Sequence, residues 1–145
     1  MPLITRNHPK LTLEGARAVL AAAELRAIEI NMPMDIAVVD DGAHLLAFAR
    51  MDGAKISSAT IALVKAQAAA ARRSATGPAK GGGKEVNVAL SIGLAVANPH
   101  QQIPIRGGIP LMVDGEIVGA IGVSNGSEDQ DTDVAQAGAA ALEKT

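Results

Sequence analysis

The chain has 145 residues, 48% of them hydrophobic and 19% charged, with a formal net charge of −2. This composition excludes disorder and supplies enough apolar mass for one core in one domain, residues 1–145. There is no cysteine, which removes disulfide scaffolds, thiolate zinc sites and cysteine nucleophiles, and Phe48 is the only aromatic residue, which argues against base-stacking nucleic-acid modules.

Residues 12–30 predict a first helix, with Thr12 as N-cap and Leu13, Ala16, Val19, Leu20, Ala23 and Ala27 on one stripe. "NMP" ends it. "DIAVVD" (35–40) reads as a strand, "DG" (41–42) as its turn and "HLLAFAR" (44–50) as the return strand. After the loop "MDGAKIS", Ser57 or Ser58 is expected to cap a second helix reaching about Arg73. "ATGPAKGGGK" (75–84) is a break. Residues 85–98 lack a clean period and lean to helix, and "PHQQIPIRGGIP" follows as a loop or short strand. A second hairpin comprises 110–113, the turn Asp114-Gly115 and 116–124. Ser127 opens a last helix through the S-x-x-Q capping box, running to about Glu143. Strands that come as hairpins, and not as alternating β-α-β units, predict an α+β fold with a mostly antiparallel sheet.

Charge is unevenly placed. Residues 50–84 hold seven Lys/Arg and one acid, Asp52, whereas 111–145 hold seven acids and one base, Lys144. Two solvated faces, an anion-binding middle and complementary surfaces within an oligomer each account for this. The N-terminus "MPLITRNHPKLTLEG" has no apolar leader-like run, and no stretch reaches spanning length, so the expectation is a cytoplasmic protein with no membrane partner.

Several familiar motifs fail on spacing. "KGGGKE" lacks the first glycine and the closing Ser/Thr of a phosphate loop, these places holding Pro78 and Glu85. Asp129, Asp131 and Asp133 resemble an EF-hand start, but Val134 and Ala140 stand where Gly and Glu are required. His8, His44 and His100 are not at metal-ligand spacing on one helix, and no metal is expected.

Four pieces remain as site candidates. Arg50 can fork onto a carboxylate, with Asp52 as proton carrier or as a salt-bridge partner that shapes the turn. Lys65, with Gln67 nearby, sits in an alanine-rich helix and either serves a site or snorkels to solvent. Gly107 and Gly108 in "RGGIP", beside Arg106, either let the backbone approach an anion or form a plain tight turn. His100, in "NPHQQ", is an axial ligand, an acid/base or simply exposed.

Three stretches, "LTLEGARAVLAAAELRAIEI", "IAVVDDGAHLLAFARMDGAKISSATIALVKAQAAA" and "GGIPLMVDGEIVGAIGVSNGSEDQDTDVAQAGAAAL", carry a resemblance to the GlcG/HbpS-like family, which includes the C-terminal haem-binding domain of PduO-type proteins. It covers residues of about 10–143, and R-M-D-G-A, G-G-I-P and V-D-G-E-x-V-G-A-I-G-V-S are its most specific parts. The resemblance implies a profilin-like sandwich, a homo-oligomer from dimer to octamer, and haem or iron as ligand in some members.

Three functions follow as expectations. The first is a protein binding a small anionic ligand, haem included, whose carboxylates meet Arg50, Lys65 or Arg106 and whose iron meets His100 or His44. The second is a cofactor-free deaminase, hydrolase or tautomerase acting on a small unsaturated carboxylate. There Arg50 anchors the substrate, Asp52 moves the proton, Lys65 adds positive field and the Gly107–Gly108 backbone holds oxyanion charge. The third is a structural oligomer.

Overall fold

The computed structural model describes residues 1–143. The elements, in chain order, are α1 (Leu13–Glu29), β1 (Asp35–Asp40), β2 (Leu45–Arg50), α2 (Ile56–Arg72), α3 (Val88–Ala97), β3 (Gly108–Val113), β4 (Glu116–Ser124) and α4 (Glu128–Ala140). The strands form one antiparallel sheet in the order β2-β1-β4-β3. The fold is the expected α+β arrangement of helices around an antiparallel sheet. Among the described residues no helix is long and apolar enough to cross a membrane.

Period-2 alternation along β1 and β4 divides the core between two faces. Ile36, Val38, Ile121 and Val123 meet Ala16, Val19, Ala23 and Ala27 of α1 and Val134 and Ala135 of α4. On the other face Ala37, Val39 and Ala120 meet Ala62, Ala66, Ala69 and Ala70 of α2. The second face is built almost without large side chains, so helix and sheet must approach very closely. Glycines allow this. A Cβ at Gly122 would lie 2.1 Å from the Ala62 carbonyl oxygen, and one at Gly108 would lie 2.3 Å from that of Lys65.

Local signals explain most boundaries. Thr12 Oγ1 accepts the Gly15 N–H, and Ser127 and Gln130 form the expected capping box. Asp114 and Gly115 both have positive φ, as a two-residue type I′ hairpin requires. Other expectations need correction. The first hairpin turn is longer than Asp41-Gly42: Ala43 takes the left-handed conformation, and Asp40 Oδ1 accepts the N–H groups of Gly42 and His44, so the strand begins at Leu45. The N-cap of α2 is Lys55, with no side-chain cap, while Ser57 and Ser58 lie inside the helix. Strand β3 starts at Gly108, not Pro110, and α4 ends at Ala140, short of Glu143. Lys144 lies outside the described residues.

One polar contact joins the layers. Lys65 leaves α2, passes beside Gly107 and reaches Asp131 on α4, at the opposite face of the sheet. Its Nζ donates to Asp131 Oδ2 at 2.8 Å and to the Val123 carbonyl at 2.9 Å. Asp131 Oδ1 also accepts the Gly126 N–H at 2.9 Å. Both side chains are buried, at 1% and 4% exposure. Burial pushes the Asp131 carboxyl up from its ordinary range, against the opposing pull of Lys65 and of the Gly126 N–H. Removing one member leaves an uncompensated buried charge, which costs about 3–5 kcal/mol, whereas removing both together is close to neutral. Chemical denaturation should therefore show Lys65→Met strongly destabilised and Lys65→Met/Asp131→Leu restored most of the way. Additive losses in the double variant would contradict a coupled buried pair.

Candidate functional site

The expected site residues separate into distinct places. Lys65 does come to the glycine pair: its Nζ lies 2.9 Å from where a Cβ on Gly107 would stand. It does not snorkel to solvent, and its ammonium is held by Asp131 and Val123. The glycines are explained by this contact and by α2, not by a bare turn. Gly107 has φ +123°, and Gly108 gives its N–H to Thr76 Oγ1 at 2.9 Å and accepts the Thr76 N–H at 2.9 Å. The Gly108 N–H is thus occupied and not available for an oxyanion.

A cleft of about 240 Å³ opens beside the pair, lined by Thr76, Arg106, Gly107, Gly108, Thr132 and Gln136 among others. Arg106 stands at its rim, with its guanidinium on Asp129 at 2.6 Å and its backbone N–H on Glu128 at 2.8 Å. These carboxylates raise the Arg106 pKa further above its usual value, the Asp129 hydrogen bond being the largest cause. No side chain in this cleft is a customary iron ligand.

Arg50 lies at the far side of the sheet, on the outer strand β2. Three inter-strand steps separate that strand from β3, roughly 14 Å at backbone level. Arg50 and Asp52 do not pair. Asp52 is exposed and borders a depression of about 230 Å³ with Asn31, Pro33 and Met51. The register instead sets Arg50 opposite Asp35, and Asp35 opposite Ser124 on β4. Asp35 is fully buried, yet neither carboxylate oxygen has a hydrogen-bond partner among the described residues. Burial raises its pKa, and the charge of Arg50 lowers it by less. Sequence reasoning missed Asp35, because an acid at the first position of a strand reads as an exposed end. Gln67 Oε1 on α2 is likewise buried without a partner. His100 is exposed, with φ +65°, in the segment after α3, and His44 is 83% exposed at the first hairpin.

Sequence reasoning also missed a groove at the hairpin end of the sheet. It measures about 490 Å³ and is lined by His8, Lys10, Asp41, Arg73, Met112 and Glu116 among others. His8 Nδ1 meets Glu116 Oε2 at 2.7 Å. Lys10 grips both oxygens of Asp41, at 2.9 and 2.7 Å, and this hydrogen bond is the largest cause holding the Asp41 carboxyl below its ordinary range. Arg73, in the left-handed conformation at the C-cap of α2, has no ion pair among the described residues. The partners are more than 100 and about 30 residues apart, so no local motif could signal them.

The orphaned Asp35 sets a pH signature. Its folded pKa is raised above the unfolded value, so its favourable contribution is complete at low pH and is lost as pH rises through the folded value. Asp35→Asn should therefore melt higher than wild type at neutral pH, with the difference shrinking as pH falls toward the ordinary carboxyl value of 3.8. A variant that is less stable than wild type at pH 7 by thermal melting would contradict this sign.

Comparison with known proteins gives a consistent answer. GlcG of Escherichia coli K12 is 40% identical over 114 residues, which is 79% of this chain and 81% of GlcG. The solved structure of Klebsiella pneumoniae ORFY superposes with a TM-score of 0.84 at 30% identity, covering 100% of this chain and 99% of ORFY. A PduOC:heme complex superposes with a TM-score of 0.77 at 28% identity, covering 92% of this chain and 95% of that one. The family described as "Haem degrading protein HbpS-like" matches residues 11–140, and the chain belongs to that family.

Proposed function

We propose that the protein binds a small anionic ligand of the haem class in the groove between His8 and Arg73, and does so as a homo-oligomer. The observation that carries this reading is the His8–Glu116 hydrogen bond. A carboxylate on Nδ1 fixes the ring and its tautomer and leaves Nε2 as the lone-pair nitrogen, the arrangement that would prepare a histidine to bind iron. Arg73 and Lys10 supply positive charge for ligand carboxylates, and Met112 adds a soft, apolar wall. The solved PduOC:heme complex shows a chain of this fold with haem and supports the ligand class.

The donor set fits haem in this groove and does not fit it in the Gly107 cleft, which offers neither imidazole nor thioether. Bound haem would supply the redox-active iron. The chain's own part would be to offer the His8 Nε2 lone pair to the iron, to neutralise carboxylates through Arg73 and Lys10, and to keep His8 in one tautomer through Glu116.

A second reading rests on one specific observation. A buried carboxyl with no hydrogen-bond partner, set opposite Arg50, which has no ion pair, both among the described residues, has the form of an acid/base group beside a carboxylate anchor. It supports cofactor-free proton transfer on a small unsaturated acid, with Asp35 in the role expected of Asp52.

Titration with hemin separates the two. Wild type should develop a shifted Soret band that His8→Ala abolishes and that Arg73→Ala weakens by roughly tenfold in affinity, the scale of one charge-assisted hydrogen bond. His100→Ala should leave the band unchanged. A flat hemin titration, together with turnover of an unsaturated amino or keto acid that Arg50→Ala removes, would overturn the binding reading in favour of the enzyme.

A further inference from the structure

Residues 77–105 leave the sheet and return to it. Their root is the Thr76–Gly108 pair of hydrogen bonds, each 2.9 Å long. The excursion is internally tied: Ser91 Oγ accepts the Ala79 N–H at 2.9 Å, the Asn87 N–H donates to the Ala79 carbonyl at 2.8 Å, and Leu90 lies against Gly81. That covers one side of α3 with its own loop. The other side is bare, and among the described residues α3 packs extensively against no other helix or strand.

The bare side has a definite shape. Val88, Ile92 and Val96, at 65%, 56% and 76% exposure, form one row with four-residue spacing. Ala89, Gly93 and Ala97 form the adjacent row, also exposed, and among the described residues nothing beyond the neighbouring residues and backbone of the helix itself comes within 4 Å of a Cβ built on Gly93. A ridge of branched side chains thus runs beside a furrow of small ones, along the same i±4 direction. Two such helices fit each other at once, ridge into furrow and furrow onto ridge, about a two-fold axis.

We propose that this face of α3 is the contact between two copies of the chain, an assignment that rests on the homo-oligomer put forward above. Charge agrees with it. Residues 86–105 contain no Asp, Glu, Lys or Arg, so nothing along the seam repels a second copy. Lys80 and Lys84, with the one acid Glu85, precede α3 and leave that end net positive, while Glu128 and Asp129 stand by Arg106 just beyond the return of the excursion and leave that end net negative. An antiparallel pair of α3 helices brings the lysines of one copy toward the acids of the other. A helix of ten residues is only about 15 Å long and buries less than the roughly 800 Å² per partner of a standard interface. Exposed Val86 and Ile105, on the flanks of the excursion, and the charged rim extend the contact.

The full chain contains no cysteine, so an introduced one reports on this contact alone. Light scattering should give wild type the mass of a dimer or a larger even assembly, and Ile92→Glu should at least halve it. Gly93→Cys, oxidised under mild conditions, should convert mostly to a covalent dimer, and should fail to do so in the Ile92→Glu background. A monomeric wild type at tens of micromolar overturns both the oligomer and this interface. An oligomeric wild type whose mass survives Ile92→Glu, with no cross-link through Gly93→Cys, overturns the interface alone. If Ile92→Glu does not fold by circular dichroism, the Gly93→Cys cross-link decides by itself. Sedimentation of a monomeric wild type with anionic phospholipid vesicles, lost in Ile92→Glu, would assign the face to a membrane surface instead.

Discussion

The architecture depends on how closely α2 can approach the sheet, and on the single ion pair which that approach permits. A face made of Ala37, Val39 and Ala120 against alanines of α2 offers little apolar area per residue. Its stability must come from close van der Waals contact, which requires glycine wherever helix backbone meets strand backbone. Gly108 and Gly122 meet that requirement. Gly107 does something further, because the absence of its side chain leaves room for the Lys65 ammonium to reach Asp131 on the other layer. A buried ion pair of this sort costs desolvation on both sides and contributes little net stability. Its effect is to fix how the two helical layers sit relative to one another at the β3–β4 corner.

This contact changes the meaning of the basic middle of the chain. Residues 50–84 are rich in Lys and Arg, but their charges do not face one hollow. Lys65 is consumed by Asp131. Arg106, beyond that segment, is engaged by Glu128 and Asp129. Arg50 stands on an outer strand opposite Asp35, and Arg73 projects at the far end of α2 beside His8 and Lys10. Among the described residues Lys65 is the one base of that segment paired with the acidic C-terminal third, whose other ion pairs go to His8, Arg26 and Arg106, so the charge asymmetry of the sequence is mostly not an internal complementarity between these two segments. Two features stand out among the described residues: the buried Asp35 carboxyl has no hydrogen-bond donor, and the Arg73 guanidinium, beside His8 and Lys10, has no ion pair.

Period and turn chemistry made most of the fold legible. The hairpins, Thr12, and the Ser127–Gln130 box are local signals, and each fell within a residue or two of its place. The misses have physical causes. Lys55 caps α2 because the backbone can enter a helix from extended conformation without a side-chain cap, so Ser57 and Ser58 were false signals. Gly108 falls in a stretch whose sequence leaves loop and short strand open, because two successive glycines also suit a turn; it is the first residue of β3, close against Lys65. The candidate site was less legible. Arg50, Lys65 and Gly107 were visible as unusual residues, but their partners Asp35, Asp131 and Val123 are set by sheet register and layer contact. His8 and Arg73 come together only because the N-terminal segment, the C-cap of α2 and the second hairpin share one end of the sheet.

The proposed ligand site is therefore defined by its place at that hairpin end, remote from the Gly107 corner that the sequence highlights. Amide hydrogen exchange with and without hemin tests this most directly. The account predicts slowed exchange confined to residues 8–10, 41–43, 73 and 112–117, with 106–108 and 130–136 unchanged. Protection centred on 106–108 and 130–136, or on 35–50, with none at the hairpin end, would contradict it.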